Sequence, residues 1–140
     1  MKDLIKAKSL LESGNYTCVL CHGEECFTST QRGIAPLMDW FDRPYDYREF
    51  CAADKVVGKA TAYLYALMYV KAVYARVISV AALEVLDYFG IAVEYDELVD
   101  NIRNRLGDGD CPFEKAVADV SIAAPHIAYA IICEKMGKYN

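Results

Sequence analysis

The chain has 140 residues, 55% of them hydrophobic and 25% charged, with a net charge of −5 at neutral pH. That balance describes a folded domain rather than a disordered segment, and the length suits one domain burying roughly two-thirds of its unfolded surface. No basic stripe is available to neutralise the phosphates of duplex nucleic acid, and the apolar stretch near 60–70 is too short and tyrosine-rich to span a bilayer.

Met1-Lys2-Asp3-Leu4-Ile5-Lys6 lacks the unbroken apolar core and cleavage site of a signal peptide, so a cytosolic location is expected. Residues 2–13 set Leu4, Ile5, Leu10 and Leu11 among lysines, with Gly14 as a stop, and read as a helix. Residues 17–21 and 26–30 are short apolar runs around His22-Gly23-Glu24-Glu25 and read as a hairpin. A short helix over 34–41 carries Pro36 in its first turn, and Arg43-Pro44-Tyr45-Asp46 reads as a loop. The spacing of Val56, Val57, Ala60, Tyr63, Leu64, Leu67 and Met68 predicts a helix over 54–70, with Lys55, Lys59, Ala62 and Ala66 on another face.

Residues 72–78 are nearly all apolar, as expected of a central strand covered on both faces. Ser79 suits the N-cap of a helix over 80–89, which Gly90 stops. A strand over 91–95, a short helix over 96–103 and a polar loop over 104–110 follow. Cys111 takes the N-cap position of another helix, with Pro112 first in it and Glu114 three residues on, in the pattern of a capping box. The last helix, over 125–136, presents Ile127, Ala128, Ile131 and Ile132 to a core. This order implies a single α/β domain, one sheet with helices on both faces. The unit 72–95 would be a right-handed parallel crossover, with ligands gathering at the carboxyl ends of the strands.

Cys51-Ala52-Ala53-Asp54-Lys55-Val56-Val57-Gly58-Lys59-Ala60 is the most informative stretch. On a helix, Lys55 and Lys59 share a face near its positive end, a costly arrangement that a bound anion would offset. Asp54 is read as a helix cap or a ligand contact, Ser79 as a cap or a nucleophile, and Cys111 as a cap or a reactive thiol. Glu114 would complete the cap at Cys111. Lys59 follows Gly58 as in a phosphate-binding loop, but Ala53 and Ala60 replace that motif's first glycine and its Ser/Thr. Asp108 and Asp110 suit a turn as well as a metal.

Cys18-Val19-Leu20-Cys21-His22 spells the c-type haem attachment pattern. On a strand, however, residues three apart point to opposite faces, so the two sulfurs would not share a haem, nor join Cys26 around zinc. Buried thiols are the simpler reading of these cysteines in a cytosolic chain, and no cofactor is implied.

Asn15-Tyr16, Arg32-Gly33-Ile34-Ala35-Pro36-Leu37, the 53–60 stretch, Val73-Tyr74-Ala75-Arg76-Val77-Ile78-Ser79 and Cys111-Pro112-Phe113-Glu114-Lys115-Ala116-Val117 together resemble the domain-of-unknown-function family numbered 1893, over about residues 10–119. The resemblance implies a cytidine deaminase-like fold, a three-layer α/β/α sandwich with a mixed sheet, and carries no established activity. A zinc deaminase would need a His or Cys ligand with a nearby Glu, and a Pro-Cys-x-x-Cys opening the next helix. Here Ala53 stands where Cys51-Ala52-Ala53 would need the Glu, Ile78-Ser79-Val80-Ala81-Ala82 replaces the cysteine pair, and His22 and His126 lie outside both motifs.

Two functions remain open. One is a domain binding a small anionic, nucleotide-like ligand through Asp54, Lys55, Lys59, Ser79, Cys111 and Glu114. The other is a metal-independent enzyme using Asp54, Lys55 and Cys111 as acid, base or nucleophile. A homo-oligomer is expected, because Tyr65 and Tyr69, four apart on the 54–70 helix, would emerge together on a face away from the sheet.

Overall fold

The computed structural model describes residues 2–102 and 111–137. Among them are six helices and one open five-stranded sheet: α1 (Lys2–Ser13), β1 (Cys18–His22), β2 (Glu25–Ser29), α2 (Ala35–Phe41), β3 (Cys51–Val57), α3 (Lys59–Met68), β4 (Ala72–Ser79), α4 (Val80–Tyr88), β5 (Ala92–Val99), α5 (Pro112–Val117) and α6 (Pro125–Lys135). The strand order is β2-β1-β3-β4-β5. β1 runs antiparallel to both of its neighbours, whereas β3, β4 and β5 are parallel, so the sheet is mixed.

Helices cover both faces. Ala7 and Leu11 of α1 close over Val19, Cys21, Ala53 and Tyr74 on one side. The larger core on the other side joins α2, α3, α4 and α6 to Leu20, Ala52, Val73 and Ala75. Because β3, β4 and β5 are laid down in one direction across the sheet, both crossover helices, α3 and α4, fall on the same face. The β1–β2 turn has Gly23 at φ +60°, the conformation that the first central position of a type II′ hairpin turn requires.

Three expected elements differ. The 54–70 helix is a strand followed by a helix: β3 ends at Val57, Gly58 holds extended N-cap geometry, and α3 begins at Lys59. An apolar run that passes from strand to helix through one residue fits a helical template throughout, which hides the join. The helix over 96–103 is instead the second half of β5, which runs to Val99. This edge strand is mostly exposed, so its Glu94, Asp96 and Glu97 are polar as in a helix's solvent face. The loop expected over 104–110, with Asp108 and Asp110, lies outside the described residues.

The third difference concerns tyrosines. Eight of the ten residues of α3 are buried, so the helix is enclosed on all sides. Tyr65 points inward and is fully buried, contrary to its expected emergence beside Tyr69, which is 69% exposed. In α6, Ala128, Ile132 and Cys133 make the buried contact while Ile127, expected in the core, is 49% exposed.

Candidate functional site

Val57 of β3 and Ile78 of β4 are paired in register, so α3 and α4 start side by side at the carboxyl edge of two parallel strands. Ser79 caps α4 as expected: its Oγ accepts from the Ala82 N–H at 3.1 Å. α3 has no such residue, because its N-cap is Gly58. Its first amides are met from a distance of more than fifty residues along the chain. Glu114 Oε1 accepts from Lys59 N at 2.6 Å, and Glu114 Oε2 accepts from Ala60 N at 3.0 Å.

Glycine at position 58 is what allows this approach, since a Cβ built there would overlap the Glu114 carboxylate. Glu114 therefore does not complete the capping box expected at Cys111. It caps a neighbouring helix. Cys111 is the N-cap residue of α5 with no side-chain capping bond, and its carbonyl accepts from Lys115 N. Burial raises the Glu114 carboxyl above its usual range, against the two amide bonds and the nearby Lys59 charge, which lower it.

Two further side chains of α3 hold the same segment. Lys59 Nζ donates to the carbonyls of Ala118 and Val120 at 2.9 and 3.1 Å. The Tyr63 hydroxyl meets the carbonyls of Val120 and Ser121 at 2.7 and 3.0 Å. The start of α3 is thus clamped by α5 and the turn after it, with the Val120 carbonyl held by both Lys59 and Tyr63.

Asp54 and Lys55 lie elsewhere than expected. Both belong to β3, so neither starts a helix, and Lys55 and Lys59 do not share a helical face. Asp54 is 5% exposed and faces α3. Its Oδ2 accepts from the Tyr65 hydroxyl at 2.8 Å and from Cys18 Sγ at 3.7 Å, and its Oδ1 accepts from Val56 N at 3.3 Å. Cys18 Sγ also lies 3.2 Å from the Tyr65 oxygen, which closes a buried triangle. Burial dominates here, pushing Asp54 up to about 7 and raising Cys18 and Tyr65 well above their ordinary values. Lys55 is half-buried, and its backbone N–H pairs with Thr17 O.

The fold therefore joins Lys59 to Glu114, places Ser79 at the end of the adjacent strand, and sets Cys111 three residues before Glu114. Asp54 is kept for an internal network. Sequence reasoning named Gly58, Cys18, Tyr63 and Tyr65 but in other roles. Of their actual roles, only that of Gly58 carried a local signal, as a glycine between two apolar runs.

Zinc does not fit the residues present. Cys51, the first ligand in a deaminase-like reading, opens β3 at the end opposite to α3, and no three His, Cys, Asp or Glu side chains converge for a metal among the described residues.

The family model for the domain of unknown function DUF1893 (TM1506) matches residues 6–136. The fold is similar to the crystal structure of a DUF1893 family protein (TM1506) from Thermotoga maritima, with a TM-score of 0.88 and 30% identity, covering 96% of this chain and 91% of that one. No curated protein matches. With nearly the whole length matched both in sequence and in fold, the chain belongs to the DUF1893 family.

Proposed function

We propose that this domain binds a small anionic ligand of the nucleotide class where α3 and α4 begin, with Lys59, Ser79, Cys111 and Glu114 around it and Asp54 and Lys55 behind it on β3. The observation that carries this reading is the Glu114 carboxylate, seated on the Lys59 and Ala60 amides over Gly58. A carboxylate on two helix N-terminal amides occupies the position that suits a phosphate or carboxylate of a ligand. In this reading the ligand's anion takes those amides as Glu114 swings away, and the release of the clamp frees Lys59 to pair with it.

The enzyme alternative has weaker support, because Asp54 is already committed to Tyr65 and Cys18 in the core. A cytidine deaminase-like fold belongs to the same proposal, supported by the mixed strand order with two crossover helices starting at one edge. A cytosolic homo-oligomer does too, now through Tyr69 rather than Tyr65.

Thermal-shift measurements with inorganic phosphate and a panel of nucleotides test the site. Glu114→Ala should show a larger anion-dependent rise in melting temperature than the wild type, and Glu114→Ala combined with Lys59→Ala should lose it. Equal, flat responses in all three proteins would overturn the proposal. Turnover of a nucleotide, abolished by Cys111→Ser, would favour the enzyme instead.

A further inference from the structure

Three cysteines stand in one row across the sheet. Cys26 of β2 pairs directly with Cys21 of β1, and Cys21 pairs on its other side with Cys51 of β3. Directly paired residues point to the same face. For Cys21 and Cys26 that is the face under α1, where Cys21 belongs to the core with Ala7 and Leu11 and Cys26 packs against that core. Their sulfurs are 2.7 Å apart, and both are free thiols. Cα atoms directly opposite in an antiparallel pair are about 4.5–5.5 Å apart, within the roughly 4.4–6.8 Å that a disulfide spans. Joining the two sulfurs therefore needs no displacement of the strands. Cys18, the other thiol of β1, is engaged with Asp54 and Tyr65 in the opposite core and cannot compete.

We propose that Cys21 and Cys26 form a reversible disulfide site whose oxidant is a small disulfide of the glutathione type. Cys26 is partly exposed and Cys21 is buried, so Cys26 reacts first. Its thiolate attacks one sulfur of the small disulfide, forming a mixed disulfide and releasing one small thiolate. Cys21 Sγ then attacks Cys26 Sγ, breaking the mixed bond and releasing the second. The two protons lost by the cysteines end on the two released thiols, so one protein dithiol is oxidised and one small disulfide is reduced. Burial, with the neighbouring Cys26 thiol, pushes Cys21 up to about 12, which makes the closing step the slow one. The closed loop spans a single tight hairpin, so the bond removes little chain entropy, and stapling the fold is a minor part of its effect.

The test equilibrates the full-length protein in buffers of rising oxidised-to-reduced glutathione ratio, traps free thiols by alkylation, and reads intact mass and peptide maps. The expected result is loss of two hydrogens per chain with one cross-link, Cys21 to Cys26. A reductant should reverse it, Cys26→Ser should abolish it, and Cys51→Ser should retain it. Differential alkylation of the wild type gives the same assignment without any substitution. A glutathione adduct that persists on Cys26 without closing, a Cys21–Cys51 cross-link, or thiols that stay free at the most oxidising ratio would each overturn the proposal.

Discussion

The Tyr65 hydroxyl donates to the Asp54 carboxylate across 2.8 Å in the layer between α3 and β3, and both side chains are shut away from solvent. An acid in that position holds its proton more tightly than it would in the unfolded chain, which ties stability to pH.

Asp54 rises from 3.8 to about 7 on folding, because burial outweighs the bonds from Tyr65, Val56 and Cys18. The folded state therefore binds more protons than the unfolded state between these values. The stability that this contributes is fully present below the unfolded pKa and is lost as pH rises through the folded one. At about 1.4 kcal/mol per unit, the wild type should lose up to about 4 kcal/mol relative to Asp54→Asn across that window. Denaturant titrations of both proteins at a series of pH values check this, and parallel pH profiles would refute it.

Tyr65→Phe removes the principal donor to Asp54 while keeping the ring in place. The variant should lose roughly 1–3 kcal/mol, the cost of leaving a buried acceptor short of a partner. It should also raise the Asp54 pKa further, since the Tyr65 bond lowers it. Equilibrium unfolding gives the first quantity and NMR titration of the carboxyl carbon the second.

Gly58 and Glu114 form a coupled pair. Gly58→Ala places a methyl group where the Glu114 carboxylate sits, so it should displace that side chain and uncap α3. Each single substitution, Gly58→Ala or Glu114→Ala, should cost about 0.5–2 kcal/mol, as for loss of a helix cap. The double variant should cost much less than the sum, because the interaction is lost only once. Strict additivity in a double-mutant cycle would show that the two positions act independently.

The two lysines should behave differently. Lys59 Nζ is bonded to the carbonyls of Ala118 and Val120, so Lys59→Ala should destabilise by about 1–2 kcal/mol and loosen the 118–121 turn. Among the described residues the Lys55 ammonium has no hydrogen bond or ion pair, so Lys55→Ala should change stability by less than about 0.5 kcal/mol. Chemical denaturation with amide hydrogen exchange over 118–121 separates the two cases.

Assembly can be weighed directly. If the chain is a homodimer through Tyr69, light scattering at micromolar concentration should give about twice 15.7 kDa. Tyr69→Ala should shift the mass toward the monomer, while Tyr65→Phe should leave it unchanged. A single 15.7 kDa species for the wild type would end this proposal.

The sequence by itself determined the features that depend on near neighbours. The lysine-flanked apolar pattern of α1, the glycine turn between β1 and β2, Pro36 opening α2 and the Ser79 cap of α4 are all local patterns. The unbroken apolar run of β4 marks a strand covered on both faces before its partners are known. It also assigned Cys18 and Cys21 to opposite faces, because strand alternation alone decides that.

Only the tertiary structure decided where β3 hands over to α3, since an apolar residue fits a buried strand and a buried helix equally well. Only packing on both sides of α3 turned Tyr65 inward and gave Asp54 a phenol for a partner. The candidate site was legible as a set of residue types, Lys59, Ser79, Cys111 and Glu114, but not as an arrangement. Glu114 has the right spacing to cap its own helix and caps α3 instead, because the approach of α5 to Gly58 brings two unpaired amides within its reach. A carboxylate bonds to the donors that the fold brings near, and chain spacing alone does not choose them.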